Sequence, residues 1–236
     1  MHVCSVLSQV WKSKTKTVFE MLCFCALVWV TATNVSAITT QEVMENVLEV
    51  YKDINNYKAV VQTYKAESMD VSGSIYESQE PIISFNLFFR KPDEHVVQEI
   101  GRSRYGIFRV ELLSALSILK DKNIKLKQRE VLLGHNCHVL ECTSPEDPET
   151  VIQLWISSKN WSVQQFILIM KSLTMVKTQF KYPLGGNRRI RYLPVETRSF
   201  FPLSRKVLIN RIANYEVNTV LSPELFEKRK NKEEHN

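Results

Sequence analysis

Ile83-Ser84-Phe85-Asn86-Leu87-Phe88-Phe89-Arg90-Lys91-Pro92-Asp93 changes character partway along its length. Ile83, Phe85, Leu87 and Phe89 recur at every second position, with Ser84, Asn86 and Arg90 between them, which predicts a strand with one buried face. Lys91-Pro92-Asp93 then ends the strand in a turn, and Glu94 to Ile100 is read as a strand that returns beside it. Upstream, Tyr57, Ala59 and Val61 alternate with Lys58, Val60 and Gln62, which predicts a second strand reaching Lys65. Before that strand the period is helical. Thr39 with Glu42 forms a capping-box signature, Val43, Val47, Tyr51 and Ile54 make one apolar stripe, and Asn55-Asn56 ends the helix.

Between the two strands, Met69 to Pro81 contains Ser72-Gly73-Ser74 and reads as a loop or wide hairpin connection. Downstream, Phe108, Leu112, Leu116 and Leu119 share one helical face, broadened by Val110, Leu113 and Ile118, so a second helix is expected over 108–120. Strands are expected at 124–132, 136–142, 150–157, 163–170, 174–182, 188–193 and 205–217, with short turns between them. Two helices and a long run of consecutive strands define an α+β architecture, an antiparallel meander with its helices to one side. No internal repeat is present, and the charged tail at 228–236 has too few apolar residues to fold.

The first 37 residues read as a cleavable export signal. Lys12, Lys14 and Lys16 precede an apolar run from Met21 to Val30, and Val35-Ser36-Ala37 offers small residues at a cleavage site. That run is about half of the roughly 20 residues needed to cross a bilayer. Glu20 interrupts the pattern and favours an uncleaved anchor as the alternative. Cys23 follows Leu22 and Cys25 follows Phe24, so neither cysteine stands behind the small residue that lipid attachment requires. The expected working protein is therefore a soluble periplasmic or secreted domain over 38–227. Loss of three lysines and one glutamate with the signal lowers the formal charge from +6 to +4.

Such a mild charge does not suggest nucleic acid as a partner, which is usually met by a concentrated basic face. The densest basic cluster is Arg188, Arg189 and Arg191 beside Gly185-Gly186-Asn187, read as a solvated hairpin tip or a contact to lipid headgroups. Only Cys137 and Cys142 remain after the signal, five positions apart. On one strand they face opposite ways at about 16 Å, beyond disulfide reach. Alternation also separates His135, Cys137 and Glu141 from His138 and Cys142, so this group does not converge on a metal ion as zinc ligands must. Gly101-Arg102-Ser103-Arg104-Tyr105-Gly106 is one residue too long for a nucleophile elbow. No phosphate-cradling glycine loop is found, and no cofactor is expected. Asn160-Trp161-Ser162 matches a glycosylation sequon.

Large apolar side chains on strands are in surplus. Ile152, Leu154 and Ile156 alternate with Val151 and Trp155, and Phe166, Leu168 and Met170 with Val163, Ile167 and Ile169. Both faces are apolar, so one is expected to meet helices and the other a second layer or a ligand.

The order of these elements resembles the LolA-like superfamily of periplasmic proteins that carry or sense lipoproteins and lipids. The resemblance rests on Tyr57-Lys58-Ala59-Val60-Val61 after the first helix, Phe89-Arg90-Lys91-Pro92-Asp93, Leu154-Trp155-Ile156 with Trp161, the strand at Phe180, and Tyr215-Glu216-Val217-Asn218 before Leu225-Phe226. It implies a half-open antiparallel barrel, a strongly curved sheet whose concave face is covered by helices. It also implies that Lys91, directly before the proline, latches the helical lid. An Asp-Gly hairpin common in the family is missing, and Gly101 to Lys120 stands in its place. Leu133-Gly134-His135-Asn136-Cys137 and the turn at 145–148 are similar to the first domain of lipoprotein-sensing regulators of the envelope stress response (the RseB/MucB type).

The resemblance implies a non-enzymatic, monomeric periplasmic carrier that binds acyl chains of lipoproteins or phospholipids. The expected cavity residues are Phe85, Leu87, Phe89, Trp155, Phe166, Leu168 and Phe180, and partners in the inner and outer membranes are expected. The alternative is a sensing module that uses the same pocket.

Overall fold

In a computed structural model of the chain, the described residues are 38–67, 76–92, 94–100, 112–117, 119, 122–185 and 190–227. The expected signal, Ser103 and its glycines, Arg188, Arg189 and the charged tail lie outside them. Helix α1 spans Thr40–Tyr51. Its N-cap Thr39 accepts a hydrogen bond from the Glu42 amide at 3.2 Å, and the Glu42 carboxylate accepts one from the Thr39 amide at 2.7 Å. The capping box thus satisfies two donors that a helix start leaves open. The bond from the Thr39 amide first, and then one from the Thr39 hydroxyl at 2.9 Å, hold the Glu42 carboxyl below its usual range. Val43, Val47, Tyr51 and Ile54 are all buried, as their spacing predicts.

The strands are β1 (Asn56–Glu67), β2 (Tyr76–Glu77), β3 (Ile83–Arg90), β4 (Glu94–Glu99), β5 (Asn123–Leu132), β6 (His135–Thr143), β7 (Thr150–Ser157), β8 (Val163–Met170), β9 (Leu173–Lys181), β10 (Glu196–Phe201) and β11 (Lys206–Val217). Helix α2 (Leu112–Ser117) falls between β4 and β5. All pairings are antiparallel, in the order β4-β3-β1-β11-β10-β9-β8-β7-β6-β5, with β2 beside β1. Every strand of the path from β5 to β11 lies next to its chain neighbour, because short turns join antiparallel strands at the least entropic cost. β4 and β5 stand at opposite ends and do not pair with each other, so the sheet stays open. The connection between these two edges is the segment that carries α2.

Two expectations need correction. Residues 190–192 form a 3-10 turn where a strand was expected over 188–193, and β10 was not foreseen. Its buried positions Thr197 and Ser199 are polar, so the strand shows no apolar alternation. Of the second helix expected over 108–120, Leu112–Ser117 is helical with Leu112, Leu113 and Leu116 buried as its stripe requires, while 108–111, 118 and 120 lie outside the described residues.

The apolar surplus on both faces has a physical explanation in the register. One face, called inner here, carries Phe85 and Leu87 of β3 opposite Val61 and Ala59 of β1. Leu112 of α2 joins Val61, Phe85 and Leu87 around a small cavity, so this is the face that α2 meets. The same face continues through the paired residues Leu140, Leu154, Phe166, Thr178 and Ser199. The outer face has two clusters of its own: Cys137, Val139 and Trp155 with Leu132 and Ile167, and Tyr64, Ala66, Phe200, Val207 and Ile209.

Candidate functional site

The inner face gathers six of the seven residues expected to line an apolar site. Phe85, Leu87 and Phe89 alternate along β3. Phe166 and Leu168 do the same on β8, opposite Leu154 and Ile152. Phe180 of β9 faces Thr197 of β10, which is on the inner side because it shares the small cavity with Val61 and Leu112. Phe180 also borders a cleft of about 590 Å³ with Gln164, Tyr182 and Leu184. Trp155 is the exception. It is paired with Val139 and Gln165, one step out of phase with Leu154, so it points to the outer face. There its indole N–H donates to Glu130 Oε2 at 2.8 Å. A Trp beside a run of aliphatic residues looks like a ligand platform in sequence, but the period of two assigns it to the other side.

Helix α1 is tied down at both ends by polar contacts. Near its start, the Thr40 hydroxyl accepts from the backbone N–H of Leu126 at 3.2 Å, a donor that edge strand β5 presents away from β6. At its end, Lys91 Nζ donates to the carbonyls of Tyr51 at 3.0 Å and Lys52 at 2.8 Å. These are among the carbonyls that a helix terminus leaves without an internal partner, and a cation there also meets the negative end of the helix dipole. The last turn of α1 contains no basic residue of its own. Lys91, just beyond the end of β3, supplies the missing charge. Its own backbone N–H donates to Asn55 at 2.8 Å, which fixes where the side chain starts.

Asn218 completes the clip, and sequence reasoning assigned it no role. Its Oδ1 accepts from the amides of Asn55 at 2.8 Å and Asn56 at 3.4 Å, while Nδ2 donates to the Asp53 carbonyl at 2.7 Å. It has φ of 55°, in the left-handed region that Asn tolerates better than most residues. The partners are more than 160 positions away, so only an Asn after a strand hinted at it. Beside the clip, Tyr57 stacks on Phe89 and meets Tyr215 edge-on, and Tyr51 meets Tyr192 edge-on. Arg90 lies over the ring of the buried Phe226.

Three titratable groups on or near the inner face favour their neutral forms. His138 is buried, stacks on Trp161, and its Nδ1 finds no hydrogen-bond partner. Burial, and then the nearby Arg129, lower its pKa. Burial and then Glu141 push the Cys142 thiol up to about 12. Tyr182, whose hydroxyl donates to the Val163 carbonyl at 2.6 Å, is raised well above its usual range, chiefly by burial. Register also divides the His135–Cys142 group: Cys137 packs with Trp155 on the outer side, while His138 and Cys142 pair with Ile156 and Ile152 on the inner side.

The described residues, an open antiparallel sheet of eleven strands, share their fold with a solved structure of the LolA superfamily. The chain is similar to a LolA superfamily protein from Nitrosomonas europaea, with 13% identity over 80% of this chain and 98% of that one and a TM-score of 0.56. A DUF1329 family protein from Desulfovibrio piger superposes with a TM-score of 0.55 at 14% identity, over 82% of this chain and 99% of that one. A putative outer membrane lipoprotein-sorting protein domain from Vibrio parahaemolyticus gives 0.52 at 11% identity, over 79% and 97%. No family model and no curated protein matches the sequence.

Proposed function

We propose that the protein is an exported binding protein of the cell envelope that holds acyl chains of lipids or lipoproteins against the inner face of its sheet, with α1 and α2 as the cover. The observation that carries this reading is the attachment of α1. Leu112 of α2 meets the apolar face, and α1 is secured at its two ends by a few hydrogen bonds through Thr40, Lys91 and Asn218. Such ties can break individually without unfolding the sheet, whose ladders are independent of them. The ligand then gains burial alone. About 0.8 kcal/mol per CH₂ group amounts to several kcal/mol for a partly enclosed chain, with no polar contact needed.

In this reading Phe85, Leu87, Phe89, Phe166, Leu168 and Phe180 contact the chain and Lys91 is the latch. The protein acts in the periplasm as a monomeric carrier toward the outer membrane, handing cargo between membrane partners without catalysis. No helix of the described residues is long and apolar enough to cross a membrane. Native mass spectrometry of gently purified protein tests the proposal. Lipid-sized adducts and uptake of a fluorescent fatty acid are expected. A bare spectrum together with no uptake refutes it.

A further inference from the structure

One row of the inner face is polar. Thr63 of β1 pairs with Asn210 of β11, which pairs with Thr197 of β10, and two positions along β10 Ser199 pairs with Thr178 of β9. All five are buried, none more than 4% exposed. An aliphatic residue at each place would bury as well without desolvating a hydroxyl or an amide, so this row opposes the simplest design of a hydrocarbon-binding face. Its hydrogen bonds are incomplete in a definite way. The Thr63 hydroxyl donates to Asn210 Oδ1 at 2.7 Å, and Asn210 Nδ2 donates to Thr197 Oγ1 at 3.2 Å. The Thr178 and Ser199 hydroxyls share one hydrogen bond at 2.9 Å. An amide carries two N–H groups and a threonine one O–H, so Asn210 keeps one donor and Thr197 keeps its own hydroxyl proton.

Both of these residues line the cavity of about 20 Å³ that Val61, Phe85, Leu87 and Leu112 share with Tyr57 and Tyr215. That volume accommodates one oxygen-sized group. Two spare donors in a mostly apolar setting suit a neutral carbonyl oxygen.

We propose that Thr197 and Asn210 receive the carbonyl oxygen of the ester or amide that joins an acyl chain to the rest of its lipid. This inference rests on the acyl-binding reading above and narrows it to acyl esters and amides, since a plain hydrocarbon leaves both donors unused. It also places the linkage beside Leu112, so the head of the ligand and α2 compete for the same side of the sheet.

Two fluorescent probes of equal length test it, methyl 10-(pyren-1-yl)decanoate and the hydrocarbon 1-dodecylpyrene, titrated into the full chain. One or two neutral hydrogen bonds give roughly a three- to tenfold tighter dissociation constant for the ester. Thr197→Val keeps the shape of the side chain and brings the ratio toward one, whereas Thr197→Ser retains the preference. The infrared carbonyl stretch of the ¹³C-labelled ester bound to the unmodified protein gives a second reading that needs no variant: it moves to lower wavenumber than in hexane. Equal affinity for the two probes, or a carbonyl stretch unchanged from hexane, overturns this inference and leaves the acyl-binding reading standing. Failure of both probes to bind overturns both.

Discussion

Replacing Lys91 by Met removes the cation from the end of α1 while keeping a flexible apolar stem. The structure loses two hydrogen bonds to the Tyr51 and Lys52 carbonyls and the favourable charge at the helix terminus. Hydrogen bonds from an ammonium contribute about 1.5–3 kcal/mol each when buried. Lys91 is exposed, so water screens its charge and re-solvates the freed carbonyls. A net loss of about 1–2 kcal/mol is the reasonable figure, near the range for a cation at a helix C-terminus. The loss should be local, because the sheet ladders do not involve the side chain. Hydrogen exchange of the α1 amides is the assay, and a change of that size speeds exchange from Val43 to Tyr51 by roughly 5- to 30-fold. Exchange in β6 to β9 stays as it was. Lys91→Arg should restore protection, since its planar fork can span both carbonyls. If α1 exchange is unaltered in Lys91→Met, or if it rises only in step with every strand, then Lys91 is not a latch.

Asn218→Ala should weaken the same end of the helix by about 0.5–1.5 kcal/mol in urea unfolding, since it removes the side-chain bonds to the amides of Asn55 and Asn56 and the carbonyl of Asp53, which water partly replaces at this exposed end. An unchanged midpoint contradicts the clip. His138 predicts the pH response. Its native pKa lies below the ordinary 6.5, so the unfolded chain binds the proton more readily, and stability that is full above 6.5 declines as the pH falls through and below that value. His138→Gln should flatten the part of the stability curve between pH 7.5 and 5, and an identical slope removes His138 as its source. Phe85→Ala, at a fully buried site, is expected to cost about 3–5 kcal/mol and to leave a void on the ligand face, measured by urea unfolding. A loss under about 1 kcal/mol would mean that Phe85 does not pack as described.

Local features of the chain were enough for most elements. Thr39 and Glu42 announce the start of α1 because a capping box is completed within four residues, and the stripe from Val43 to Ile54 needs only the helical period. Ile83 to Phe89 specifies both a strand and its buried side, because alternation is a property of neighbours. The same rule separates Cys137 from Cys142 and, applied strictly, would have moved Trp155 to the outer face.

What the tertiary structure decided depends on partners far apart in sequence. β10 is hidden in the sequence because Thr197 and Ser199 are buried polar residues, which become reasonable only once Asn210 and Thr178 lie beside them. The open edge between β4 and β5 comes from the pairing order, which hydropathy does not encode. Asn218 and Lys91 reach the end of α1 only after β11 and β3 have been aligned on either side of β1. Periodicity assigns each side chain to one face of its own strand, but the identity of the opposite residue is a non-local outcome of packing. The proposed ligand site is made of such opposites.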